Sequence, residues 1–393
     1  MRALVTGASR FVGTEVVRNL RLQRFAVHIA NRRTGKTETG FSYTVSDLDP
    51  ATNWREALEG CDVVIHLAAR VHVMNDSAVD PLAEFRKTNV EGTLNLAMQA
   101  AKAGARRFIF ISSDKVNGEH TIISKPFTEV GAANPQDFYG LSKHEAEQGL
   151  LQIAQQTGIE VVIIRPPLVY GPGVKANFAS MMRAVKRGVP LPLKAINNKR
   201  SFVYVGNLVS VVLRCIDHPA AANQIFLVSD GCDLSTAELL RKCAMALGVK
   251  SRLFPVPQSL IETCVGLLGK RAVAQRLCGN LQVDITKART LLGWTPPVSV
   301  MDGLKLTALG FTQGSWMMKR LIDLCLALLA ALFLILPFLL VATAVRLTSA
   351  GPILYWSDRV GRYNKIFKMP KFRTMRVDTP AVATHFLPDP KQF

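Results

Sequence analysis

Arg2-Ala3-Leu4-Val5-Thr6-Gly7-Ala8-Ser9-Arg10-Phe11-Val12-Gly13 begins as a short apolar run and passes through two glycines into the helical pattern of Val12 to Leu22. A glycine-bearing turn between a strand and a helix leaves backbone N–H groups bare at the positive end of the helix dipole, where a pyrophosphate binds. The same order continues along the chain. Phe25 to Ala30, Cys61 to His66, Arg107 to Ile111 and Gly158 to Arg165 read as further buried strands, with a long helical pattern at Pro81 to Ala103. Strands alternating with helices predict an α/β fold, a doubly wound parallel sheet of the Rossmann type.

Composition narrows the class. The 393 residues are 49% hydrophobic, enough for one large domain with an appendage, and the formal net charge is +19. Such a charge suits an anionic membrane surface or phosphorylated ligands, and no fold signature of a nucleic-acid reader accompanies it, so no nucleic-acid partner is expected. Seven cysteines (61, 215, 232, 243, 264, 278 and 325) fall without metal or disulfide spacing, so no metal site is expected. Met1 leads directly into a strand with no secretory signal, which predicts a chain that begins in the cytosol.

Tyr139-Gly140-Leu141-Ser142-Lys143 places a phenol one helical turn from an ammonium. At that spacing the lysine is expected to draw the phenol's pKa down from about 10 and make a proton-transfer pair. Alone, the spacing is no more than chance supplies.

Around it, however, the sequence resembles the extended short-chain dehydrogenase/reductases, the branch of nucleotide-sugar epimerases, dehydratases and reductases. That family's first turn reads T-G-x-x-G-x-x-G, and here Arg10 stands at the middle glycine. The resemblance lays Gly7, Arg10, Phe11, Val12 and Gly13 along a dinucleotide, and the side chain of Arg10 is expected to crowd its phosphates and weaken binding. Arg32 and Arg33 follow the second strand where an acid would hold the ribose; guanidinium groups there suit a 2′-phosphate, so NADP is favoured over NAD. Asp47 and Leu48 match the adenine contacts, and Leu67, Ala68 and Ala69 match the small-residue turn along the cofactor. His66 reads as a packed core histidine and Asn89 as a structural position.

Ile111-Ser112-Ser113-Asp114-Lys115-Val116-Asn117-Gly118 is similar to the family's S-S-x-x-V-Y-G turn. By that resemblance Ser113 joins Tyr139 and Lys143 as a catalytic group, and Lys143 also contacts the nicotinamide ribose. Asp114 and Lys115 border the substrate. A two-carboxylate elimination is not expected, because Lys115 stands where dehydratases carry the second acid. Pro166 lies at the junction Arg165 to Gly173, on the cofactor side. Asn177 and Arg200 fall where sugar-nucleotide members hold base and diphosphate, and a guanidinium fork fits phosphate oxygens. Ser201 and Asn207 replace the acids of R-D-x-x-x-V-x-D, and Leu292-Gly293-Trp294 reads as packing.

The resemblance covers an expected domain at 1–305, with a cofactor half to about 165 and a substrate lobe after it, followed by a linker at 306–318. It implies an NAD(P)-dependent enzyme acting on a UDP-sugar and a homodimer. The turn at Ser113 and the two arginines favour a 4-keto-sugar reductase of the 6-deoxy-amino-sugar type, serving cell-surface polysaccharide precursors. A 4-epimerase that retains its NAD stays open, as does a non-catalytic nucleotide-binding remnant.

Leu324 to Val345 runs 22 residues without a charge, long enough to cross about 30 Å of hydrocarbon. Lys319, Arg320 and Arg346 flank it, and seven basic residues against one acid lie between Asp358 and Arg376. Both ends therefore favour the cytoplasmic side, and Pro337 is expected to break the helix into a re-entrant hairpin anchored through about 321–346 at the inner membrane. Lys319 to Asp323, Gly351 to Tyr355, Arg359 to Gly361 and Lys371 to Met375 resemble the bacterial polyprenyl-phosphate sugar-1-phosphate transferases, which implies polyprenyl phosphate as a partner and Arg373 as its contact. Leu336 stands where that family has serine. Its Asp-Glu dyad would lie past Phe393, so no sugar-phosphate transfer is expected from these residues, although a membrane transferase remains a third reading.

Overall fold

The computed structural model describes residues 1–31, 41–45, 47–71, 80–267, 269, 271–348, 351–360 and 366–372; of these, 41, 271–272, 312–322 and 360 are described by backbone alone. Arg32, Arg33 and Arg373 lie outside the described residues. The chain divides into two compact units, Met1–Thr312 and Gln313–Phe393.

The first unit carries a seven-stranded parallel sheet from β1 (Arg2–Thr6), β2 (Ala26–Asn31), β3 (Phe41–Thr44), β4 (Val63–His66), β5 (Arg107–Ile111), β6 (Glu160–Arg165) and, after the short parallel pair β7 (Leu168–Tyr170) and β8 (Phe202–Tyr204), β9 (Gln224–Leu227). Its order is β3-β2-β1-β4-β5-β6-β9. The helices are α1 (Phe11–Leu22), α2 (Arg55–Leu58), α3 (Pro81–Arg86), α4 (Gly92–Lys102), α5 (Phe138–Thr157), α6 (Ala176–Lys186), α7 (Val205–Asp217), α8 (Thr236–Leu247), α9 (Gln258–Leu267), α10 (Arg271–Cys278), α11 (Thr286–Leu292) and α12 (Val300–Thr348).

Period-two alternation explains why these strands are apolar throughout. Ala3, Val5, Ile109, Val162 and Ile164 point to one face and pack with Val16, Leu20, Leu208 and Val212 of α1 and α7. Leu4, Phe108, Phe110, Val161 and Ile163 point to the other and pack with Leu96, Ala100, Ala146 and Leu150 of α4 and α5. Both faces are covered, so each residue buries its side chain, at about 1.5–3 kcal/mol for a large aliphatic one. A third cluster, with Phe178, Met182, Tyr204, Leu240 and Leu304, forms the small lobe after β6.

Three elements depart from the sequence reading. The sheet gains β9, whose four residues follow a turn and bear no alternation of their own. The pattern at Pro81 to Ala103 is two α-helices joined by a π-helical turn at Lys87–Glu91, which presents Asn89 inward. Residues 306–318, read as a linker, are helical within α12, and the boundary between the two units at Thr312 and Gln313 falls inside them. That helix also runs unbroken through Pro337: one missing N–H removes one backbone hydrogen bond, and the leucine- and alanine-rich turns on either side keep the rest. Pro337 therefore does not break the helix as expected.

In the second unit, Asp323–Thr348 is long and apolar enough to cross a membrane, and none of it is buried. A hairpin of β10 (Leu354–Val360) and β11 (Ile366–Phe372) pairs antiparallel, and Phe372 lies against Phe338 with ring centroids 5.6 Å apart.

Candidate active site

The turn after β1 is held from below by one buried histidine. His66 Nδ1 shares a hydrogen with Thr6 Oγ1 at 2.7 Å and its Nε2 with Thr93 Oγ1 at 3.0 Å. Burial, then the nearby Lys143 charge, pushes its pKa down to about 3, so it stays neutral and structural. Thr6 Oγ1 in turn accepts from the Ala68 N–H at 3.3 Å, tying the β1 and β4 turns together. Gly7 has φ +70°, and a Cβ there would lie 2.8 Å from Ala68 N; a Cβ on Gly13 would lie 2.2 Å from Gly7 O. Backbone this close to backbone, at the N-terminus of α1, is the cradle that a dinucleotide requires. The residues present therefore fit a nicotinamide dinucleotide.

Arg10 sits on that cradle as the cap of α1, with φ −93° and ψ 167°, and its side chain is exposed. Its N–H bonds Gly7 O at 3.0 Å. This backbone is open to any residue, so arginine is accommodated without strain; Phe11 and Val12 turn toward the lobe cluster. Asp47 is exposed and accepts from the Leu48 N–H at 2.8 Å, while Leu48 is buried against Gly92. Leu67, Ala68 and Ala69 are half-buried after β4. Asn89 braces this stretch: it bonds the Arg70 N–H and carbonyl at 2.8 and 3.0 Å and Ser142 Oγ at 3.0 Å.

The groups read as catalytic from the sequence gather where β5 ends. Ser113 caps a single 3₁₀ turn, Asp114–Val116, and its hydroxyl donates to Asp114 Oδ1 at 3.2 Å. The Asp114 N–H reaches Pro166 O at 3.1 Å, joining this turn to the end of β6. Asp114 is buried, and burial pushes its pKa up to about 6, against the pull of the Ser113 hydrogen bond and of Arg200 and Lys115. Arg200, held by Gly279 O at 3.1 Å, thus comes within electrostatic reach of the Ser113 turn. Lys115 pairs with Glu119 at 3.1 Å and with Asp137. Asn177 is exposed on α6, and no contact among the described residues joins it to this group.

Tyr139 lies in the first turn of α5, whose cap Asp137 accepts from the Gly140 N–H at 2.7 Å. Burial first, then the charges of Asp114 and Asp137, raise its pKa above that of a free phenol. Lys143 is buried, donates to Ile111 O at 2.8 Å and lies 5.9 Å from the Tyr139 ring centroid. Burial draws it down to about 7, with Glu147 opposing. The expected lowering of the phenol by the ammonium is therefore reversed in the protein alone, because desolvation penalises both charged forms more than their proximity helps.

Sequence reasoning missed three supports. Asp137, just before the helix that carries Tyr139, has the signature of a cap. Glu147 and Arg165 form a buried pair across α5 and β6, and Arg165 also donates to Asn117 Oδ1 at 3.0 Å; Asn117 thus uses the family's tyrosine position for a core bond. Asp230 receives Tyr170 Oη, the Tyr204 N–H and Asn207 Nδ2 at 2.7, 2.8 and 2.7 Å. Ser201 and Asn207, at the two acid positions, are occupied by Asp233 and by the Val298 backbone. Trp294 is buried and its indole donates to Ser210 Oγ at 2.9 Å, which agrees with a packing role.

A parallel sheet with a glycine-bearing first turn, a Tyr–Lys pair on α5 and a serine at the end of the fifth strand is the arrangement of the short-chain dehydrogenase/reductase class. The chain belongs to the NAD dependent epimerase/dehydratase family, whose sequence profile matches residues 3–229. It is 48% identical over 314 residues to a UDP-glucose 4-epimerase of Vibrio cholerae, covering 79% of this chain and 96% of that one. It is 28% identical to the N-acetyl-α-D-glucosaminyl-diphospho-ditrans,octacis-undecaprenol 4-epimerase of Escherichia coli O157:H7, covering 77% and 93%. The crystal structure of a Thermotoga maritima UDP-glucose 4-epimerase with UDP-glucose superposes with a TM-score of 0.62 at 25% identity, over 80% and 99% of the two chains. Residues 314–391 match the bacterial sugar transferase family, and with the apolar helix at Asp323–Thr348 they associate this enzyme with a membrane.

Proposed function

We propose that the first unit reduces the 4-ketone of a UDP-sugar, with NADPH as the favoured reductant. The observation that carries this reading is the setting of Tyr139: half-buried in the first turn of α5, across from the Ser113 turn, its phenol is raised above a free one by desolvation and then by the charges of Asp114 and Asp137, and so keeps its proton at neutral pH. A ketone being reduced needs a proton at its oxygen, and a protonated phenol supplies it. Ser113 holds the same oxygen by its hydroxyl. Arg200 binds the diphosphate, and Gly7, Gly13 and the N-terminus of α1 receive the dinucleotide. A bound nicotinamide supplies the hydride. Lys143, at about 7 without ligand, regains its proton beside an anionic dinucleotide and then offsets the charge on the phenolate left after proton transfer.

The second reading, a UDP-sugar 4-epimerase with retained NAD, is favoured by the 48% identity to the Vibrio cholerae protein. Purified chain is mixed with NADPH or NADH and a UDP-4-keto-sugar. Consumption of NADPH matched by formation of the alcohol supports reduction; interconversion of UDP-sugars without added reductant, by protein carrying bound NAD, replaces it with epimerisation.

The second unit fits an anchor that holds the enzyme at the cytoplasmic face of the inner membrane near polyprenyl phosphate, since a soluble domain that finishes a sugar beside its acceptor raises the local concentration of that sugar.

A further inference from the structure

Lys115 stands between two parts of the active site that no strand or helix connects. Its ammonium pairs with Asp137, the cap of α5 two residues before Tyr139, and with Glu119 at 3.1 Å, while its own backbone belongs to the 3₁₀ turn that carries Ser113. The turn and the helix are in backbone contact at the same place. A Cβ on Gly140 would lie 2.8 Å from Lys115 O, and the Asn134 N–H bonds Val116 O at 3.0 Å. Asp137 has two oxygens and uses both: one caps the helix, the other meets Lys115. We propose that Lys115 is a positioning residue, which clamps the first turn of α5 to the Ser113 turn and neutralises the carboxylate beside Tyr139.

The surrounding charges leave this task to Lys115. Asp114 and Asp137 both act on Tyr139 and oppose its ionisation. On the same helix Lys143 is turned to Ile111 O, and from α3 Arg86 is spent on Glu145. Arg200 acts on Asp114. Lys115 is the cation paired with Asp137, and an ion pair presents far less field to a neighbour than a lone carboxylate. The role rests on the C4 oxidoreductase reading above, in which Tyr139 transfers the proton.

The test compares wild type with Lys115→Met, Lys115→Arg and the double variant Lys115→Met/Asp137→Asn, the asparagine keeping a good helix cap. In Lys115→Met, kcat is expected to fall about tenfold with KM for the nucleotide sugar little changed. The tyrosine-dependent limb of its pH profile should move about one unit to higher pH, because Asp137 is then unpaired. Lys115→Arg should restore the rate, and the double variant should return the limb. Hydrogen exchange at the Phe138 to Leu141 amides, read on the same proteins without substrate, should quicken in Lys115→Met. A raised KM with an unmoved limb would make Lys115 a substrate contact and overturn the role. If wild type turns over no UDP-sugar, the functional reading fails on its own, and exchange then decides: quickened amides keep the clamp, unchanged amides remove it.

Discussion

The ammonium of Lys143 donates to the carbonyl of Ile111 at 2.8 Å and lies 4.2 Å from the ring centroid of Phe110, so the end of β5 holds the lysine. Burial lowers its pKa from 10.5 to about 7 in the cofactor-free chain. Between those values the unfolded chain keeps a proton that the folded one has shed, and stability rises with pH across this window. Tyr139, shifted upward, acts only above its ordinary 10.0 and in the opposite sense. Urea unfolding of the cofactor-free protein at pH 7 and pH 9 should show wild type gaining on the order of 2 kcal/mol that Lys143→Met does not gain. Parallel behaviour of the two proteins would mean the buried ammonium is stabilised by a partner.

Arg165 and Glu147 are both buried, and their pair sits one turn beyond Lys143 on α5. Removing one partner strands a charge. Arg165→Met is expected to cost about 3–5 kcal/mol, whereas Arg165→Met with Glu147→Leu should recover most of that loss. Equal losses in the single and double variants would indicate that the packing of Arg165 matters and its charge does not.

At the dinucleotide cradle two neighbouring positions should respond in opposite ways. Gly13→Ala forces a Cβ to within 2.2 Å of Gly7 O, so the turn must open. Cofactor affinity is expected to fall at least about tenfold, a loss of roughly 1.4 kcal/mol or more. Arg10→Gly leaves an allowed backbone unchanged and removes a side chain from the phosphate end of α1, so cofactor should bind more tightly while stability shifts by only a few tenths of a kcal/mol. Fluorescence titration with NADH and NADPH reads both; equal affinities for wild type and Arg10→Gly would clear the arginine of crowding the phosphates.

What could be read from the sequence follows from what each element buries. β1, β2, β4, β5 and β6 are apolar because both sheet faces are covered, and that pattern survives in a string of letters. β9 is four residues long and takes its place by pairing with β6, a long-range event with no local mark. The motifs around Ser113, Tyr139 and Arg200 stand out as letters, and the fold places Asp114 within electrostatic reach of all three. The sense of the Tyr139 shift was not legible, since spacing reports that a lysine is near but not how much water both groups lose. Asp137 and Lys115 were visible as letters, yet their pairing spans 22 residues and depends on the fold.

The helix at Asp323–Thr348 presents Leu328, Leu332, Phe333 and Leu336 outward, with Phe333 82% exposed. Such a surface is stable in hydrocarbon and costly in water, so the full chain should sediment with membranes and resist extraction by concentrated salt. Lysine at the centre of an inserted helix costs about 2.5–3.5 kcal/mol per residue. Leu329→Lys with Phe333→Lys should therefore shift the chain into the salt-extractable fraction while leaving the enzymatic activity of the first unit in place. Extraction of the wild type by salt alone would assign its membrane association to the basic residues on either side of the helix, because screening weakens surface charge attraction and leaves apolar insertion untouched.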